Sequence, residues 1–144
     1  VLEIEIFHHD GAFTPGDNFY VHHIKHGETC NVGEIICIDR EIPESVRSSG
    51  ALGAEFLACP LATNTSVMKA YSYYADNEII TCNRTAKNEA FFAVVNHTGI
   101  FNGVRFLVGP SGELLTQLVV ELCVSVVDVP IEIINKIWHN DLLG

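Results

Sequence analysis

Lys87-Asn88-Glu89-Ala90-Phe91-Phe92-Ala93-Val94-Val95-Asn96-His97-Thr98-Gly99 is the stretch whose conformation decides the fold. Ala90, Phe91, Val94 and Val95 fall on one face at helical spacing. The spacing predicts an amphipathic helix over Ala86–His97, with Asn83 or Thr85 as its cap and Gly99 as its stop. Downstream, Val104, Phe106 and Val108 alternate with Arg105 and Leu107 up to Gly109-Pro110-Ser111-Gly112. A long strand over Leu114–Val127 returns from that turn, with Leu118, Val120, Leu122, Val124 and Val126 opposite Gln117, Glu121 and Ser125, so the two strands should form an antiparallel hairpin. Pro130 then opens a closing helix whose inward stripe is Ile131, Ile134, Ile137 or Trp138, and Leu142.

Upstream, the aromatic content of Val67–Tyr74 reads as a strand, and Asp76-Asn77 stands where a two-residue turn would reverse it into Glu78–Cys82. Val1–Phe7 alternates strictly, and Phe19–Lys25 forms another strand. Glu34–Asp39 is apolar on both faces, as in a central strand. Pro43–Arg47 suits a short helical turn. The pattern predicts one α+β domain over residues 1–144: an antiparallel sheet built from hairpins, with two amphipathic helices in the C-terminal half.

Composition narrows the partners. Eight basic against eighteen acidic residues leave a net charge of -10, which repels phosphate backbones and anionic lipid. Nucleic acid is therefore not expected, and no apolar run is long enough to span a membrane. The chain opens on Val1 rather than Met, which leaves room for an upstream segment. Five cysteines without a CxxC pair favour a cytoplasmic, reducing setting. Three sequons, at Asn64, Asn83 and Asn96, keep an extracellular glycoprotein open.

The histidine-rich opening is the one unusual local feature. His8, His9, His22, His23 and His26 lie near Asp10, Glu28 and Cys30, and imidazole, carboxylate and thiolate are the zinc ligand set. On a strand, His22 and His26 share a face but stand about 13 Å apart at 3.3 Å per residue. A metal site would therefore draw on His8, His22, His26 and Glu28 from separate segments; exposed strand histidines beside turns explain the cluster more simply. Ser111, in Gly-Pro-Ser-Gly, lacks the spacing of a hydrolase elbow and is accounted for by turn chemistry. Cys30, in a polar loop, is the thiol expected to be exposed. No catalytic residue and no cofactor are assigned, with zinc the one exception held open.

Asn96, Thr98, Gly99 and Phe101, then Arg105-Phe106, Gly112-Glu113 and Pro130-Ile131-Glu132, resemble the YbjN-like group related to type III secretion chaperones, over about the second half of the chain. That resemblance implies a small, often dimeric, non-enzymatic protein that binds other proteins. The leading expectation is thus a non-catalytic, chaperone-like or adaptor-like domain whose partner is another protein or a second copy. Phe91, Val94 and Trp138 are its candidate contact residues. The alternatives are a zinc-binding protein or metal-assisted hydrolase using the His8–Cys30 region, and a surface glycoprotein or subunit of a larger assembly.

Overall fold

The computed structural model describes residues 14, 16–62, 73–98, 104–118 and 124–141. Six strands, β1 (Val21–His26), β2 (Glu28–Glu34), β3 (Phe56–Leu61), β4 (Phe91–Asn96), β5 (Arg105–Val108) and β6 (Leu114–Leu118), form one sheet in that order. β2, β3 and β4 run parallel, and antiparallel hairpins flank them, β1 with β2 on one side and β4, β5 and β6 on the other. Parallel neighbours need a crossover. A 3-10 turn (Cys37–Arg40) followed by helix α1 (Pro43–Ala51) carries the chain from β2 to β3. Helix α2 (Tyr73–Asn88) lies between β3 and β4 in the chain, and α3 (Glu132–Asp141) follows the sheet.

This mixed sheet corrects the expected antiparallel one, and two elements exchange identity. Residues Phe91–Asn96, expected in a helix, form β4. β4 is paired with β3 along one edge and β5 along the other, and it buries Phe92, Val94 and Asn96 on one face and Phe91 at the start of the other, where Val95 is exposed. A run apolar at consecutive positions satisfies helical and strand periods alike, so periodicity alone misassigns it. Conversely, the expected hairpin is overturned where it can be seen. Residues 73–82 belong to α2, and the remainder, 67–72, lies outside the described residues.

The helix escapes hydrophobic periodicity because the side it buries is polar. Asn77, Thr81, Thr85 and Asn88, spaced by four, four and three, are all buried. Thr81 Oγ1 donates to Asn77 O at 2.7 Å, Thr85 Oγ1 to Thr81 O at 2.7 Å, and Asn88 Nδ2 to Arg84 O at 2.8 Å. Thr81 and Thr85 are thereby satisfied on the preceding helical turn and Asn77 Oδ1 receives Arg40, whereas Asn77 Nδ2 and Asn88 Oδ1 are buried without a hydrogen-bond partner among the described residues.

The core lies on the sheet face formed by Leu57, Cys59 and Leu61 of β3, Phe92 and Val94 of β4, and Phe106 and Val108 of β5, closed by Ile35, Val46, Ala54, Ala90 and Val104. Helix α2 touches α1, the 3-10 turn, β4 and β5. Gly112 (φ +84), in the turn between β5 and β6, comes so close to α2 that a Cβ would stand 2.9 Å from Cys82 O. Gly112→Ala is therefore expected to cost about 2–3 kcal/mol through strain and overlap together. Gly27→Ala (φ +81), with nothing within 4 Å of its Cβ, should cost about 1 kcal/mol. Urea denaturation of the two variants distinguishes these values.

Several local expectations stand. β5 and β6 pair antiparallel across the Gly-Pro-Ser-Gly turn, a helix follows Pro130, and the segment after Pro43 is helical, though longer than one turn. β6 is assigned only to Leu118, and residues 119–123 lie outside the described residues. Among the described residues, no helix is long and apolar enough to cross a membrane.

Candidate functional site

The functional centre is built where β2 ends. Ile35 N donates to Ala58 O at 3.1 Å, still in sheet-like pairing with β3, and Ile36 remains extended (φ -123, ψ 127). Cys37 then turns to φ 46, and the 3-10 turn begins on it. A left-handed cysteine costs about 1–2 kcal/mol against an ordinary conformation. Such strain points to function when nothing in helix termination explains it. Glu89, the other non-glycine residue with positive φ (52) among the described residues, directly follows the C-terminus of α2, where that conformation is the ordinary helix stop. Cys37 stands instead at a strand-to-helix junction, the geometry that lifts a nucleophile out of the sheet at its C-terminal edge.

Fixed groups surround the turn. The buried Asp39 carboxylate accepts Ile36 N at 3.1 Å, while Asp39 N donates to Ile36 O at 2.9 Å. The Arg40 guanidinium, 1% exposed, enters α2: Nη2 donates to Asn77 Oδ1 at 2.5 Å, and Nη1 lies 3.4 Å from both Asn77 O and Thr81 Oγ1. Arg84 reaches in the opposite direction, from α2 to the turn, donating through Nε to Arg40 O at 3.3 Å and through Nη2 to Glu41 O at 2.9 Å.

Beside the elbow opens a cleft of about 970 Å³ whose walls include Phe19, Tyr20, His22, Glu34, Ile36 and Pro60. Asp17, Asp39 and Glu44 also line it, so its charged lining is mostly acidic. At its rim Tyr20 Oη donates to Asp17 Oδ1 at 2.8 Å, which lowers the Asp17 carboxyl and raises the Tyr20 phenol.

The other described cysteines are held as thiols. Burial pushes Cys59 up to about 12, far more than the Arg40 charge lowers it. Burial, aided by Glu55, raises Cys30, and burial, aided by Glu78, raises Cys82. Cys30, expected to be exposed, is only partly so, and its thiol is disfavoured as a thiolate. The Cys59 shift makes a pH prediction. The folded chain keeps that proton to about pH 12, whereas an unfolded thiol releases it near 9.0. The resulting contribution is complete below pH 9 and is lost as pH rises from 9 to 12, on the order of 3–4 kcal/mol in all. Denaturation curves across that range should fall less steeply for Cys59→Ala than for the parent.

The residues expected to hold a metal are described only in part. His22 and Glu28 are exposed on β1 and β2, His26 stands opposite Glu28 across the Gly27 turn, and His8 lies outside the described residues. His23 pairs instead with Asn31, Nδ1 to Oδ1 at 2.5 Å. Among the described residues, no three His, Cys, Asp or Glu side chains are grouped to hold a metal ion. Of the expected contact residues, Phe91 and Val94 are buried within β4 and Trp138 is half-buried on α3. Ser111 sits in the β5–β6 turn, its N–H bonded to Glu113 Oε2 at 3.0 Å. Sequence reasoning missed Cys37 by extending the central strand through it to Asp39. The available signal was an apolar strand ending on a cysteine, with Pro43-Glu44 opening a helix six residues later.

A family model described as Carbon-nitrogen hydrolase matches residues 4–134. Among curated proteins, none matches the sequence. Among solved structures, the chain resembles the amidase from Nesterenkonia sp. AN1, at 28% identity over 92% of this chain. In a mutant form carrying a Michael adduct of acrylamide at its active site cysteine, the TM-score is 0.69 and 52% of that chain is covered. A form with the acetamide moiety of fluoroacetamide added covalently at the active site cysteine gives 0.70 and 51%, and one in complex with butyramide gives 0.69 and 51%. The chain thus spans about half the length of the solved structures it matches.

These matches correct the chaperone-like resemblance and, with it, the expected binding or self-associating role, and they do not support the zinc-protein alternative. The residues that carried the resemblance explain the error. Gly112-Glu113 is a hairpin turn and Pro130-Ile131-Glu132 a helix start, features that recur wherever a strand pair leads into a helix.

Proposed function

Since the chain belongs to the carbon-nitrogen hydrolase family, we propose that it cleaves the C–N bond of small amides with Cys37 as nucleophile. The Cys37 thiolate attacks the amide carbonyl carbon and forms a C–S bond. The C–N bond then breaks and the amine departs with a proton, leaving a thioester. Water adds to that thioester, the C–S bond breaks, the carboxylic acid is released and the thiol recovers its proton. Dividing one hard displacement into two easier ones is what a positioned thiolate contributes.

The observation that carries this reading is the left-handed Cys37 at the strand-to-turn elbow. Two others support it: Cys30, Cys59 and Cys82 are all shifted away from the thiolate, and the Nesterenkonia amidase takes up amide-derived groups at its active site cysteine. The test is fluoroacetamide or iodoacetamide at neutral pH, followed by intact-mass and peptide analysis. One carbamoylmethyl group on Cys37 is expected, with Cys59 untouched. Labelling of Cys30 or Cys82 ahead of Cys37 overturns the assignment.

A further inference from the structure

Cys37 holds an unfavourable backbone conformation, and a strained residue persists only where its surroundings over-determine it. Part of those surroundings comes from α2, far downstream in the chain. Arg84 grips two successive carbonyls of the chain leaving the elbow, Arg40 O at 3.3 Å and Glu41 O at 2.9 Å. Arg40 crosses the other way and is anchored on Asn77 and Thr81. The two guanidiniums thus form a double tie between the 3-10 turn and one buried face of the helix.

The geometry points to Arg84 and Arg40 as positioning residues for the Cys37 nucleophile. This rests on the reading of Cys37 given above and extends it. If the ties are cut, the turn is free to relax Cys37 toward negative φ, which moves Sγ relative to the cleft. The polar stripe on α2 also acquires a purpose, since Asn77 and Thr81 present the oxygens that receive Arg40.

The experiment follows iodoacetamide modification of Cys37 by peptide mass spectrometry across pH, in the full chain and in Arg84→Met, Arg84→Lys and Asn77→Ala. Protection of Cys59, buried in the core, serves as the reporter of folding in the same samples. The expected result is a plateau rate at Cys37 lower by about tenfold in Arg84→Met, with Cys59 still protected. Arg84→Lys, which keeps a donor for one of the two carbonyls, should recover part of the loss. A role in stability alone would lower the melting temperature and leave the plateau of the folded protein unchanged, and that result overturns the inference. If Arg84→Met exposes Cys59, Asn77→Ala decides: a slowed Cys37 with Cys59 protected supports the tie, and an unchanged rate overturns it. Failure of the underlying reading looks different, because Cys37 would then fail to react ahead of Cys30 and Cys82 in the unsubstituted chain.

Discussion

Cys37→Ser is expected to lower amide hydrolysis by on the order of 10⁴-fold or more, with little change in KM. Serine is close in size and occupies the same backbone, so the turn, its bond from Ile36 N to the Asp39 carboxylate and its ties to α2 should remain. What is lost is an atom that can exist as an anion near neutral pH. A hydroxyl has far too high a pKa to replace a thiolate without a strong base beside it. The measurements are ammonia release from butyramide and the carbamoylmethylation assay, alongside a melting curve that should stay close to the parent's. Undiminished labelling in Cys37→Ser, carried by another cysteine, would remove Cys37 from the mechanism.

Phe92→Ala is expected to be the most destabilising single truncation in the core. The ring is fully buried and sits mid-sheet, in register with Leu57 of β3 on one side and Val108 of β5 on the other. Removing it takes apolar contact from both neighbours and leaves a cavity that a hydrogen-bonded strand cannot collapse to fill. The cost should be about 3–5 kcal/mol, a large fraction of the 5–15 kcal/mol that typically holds a domain together. In urea the midpoint should fall sharply while the slope is unchanged. Val95→Ala, on the same strand but 56% exposed, should cost about 1 kcal/mol or less. The contrast also tests the assignment of Phe91–Asn96 as a strand. In the helix expected from periodicity, Val95 would share the apolar face with Phe91 and Val94 while Phe92 would lie off it, so the order of the two costs would reverse.

Features written in a few adjacent residues were readable without coordinates. The β5–β6 hairpin follows from alternation and a Gly-Pro-Ser-Gly turn, and the starts of α1 and α3 follow from Pro43 and Pro130, because proline suits a first helical turn wherever it falls. The two misassigned elements lacked such a signal. Residues 91–96 are apolar at nearly every position, which either period accommodates. The inward side of α2 is Asn77, Thr81, Thr85 and Asn88, which no hydrophobic pattern marks as buried.

By itself, the sequence determined the Gly109–Gly112 turn, the proline-led helix starts, the acidic balance of charge and the abundance of apolar residues for a core. Only the tertiary structure decided that β2, β3 and β4 run parallel, that a polar helix face is buried, and that Cys37 rather than Cys30 is the distinctive thiol. The physical reason is common to all three. Parallel pairing, the burial of the Asn and Thr stripe of α2, and a cysteine held at positive φ each depend on partners far away in sequence. In the last case those partners include Asn77, Thr81 and Arg84, whose bonds to the turn exist only once α2 lies against it.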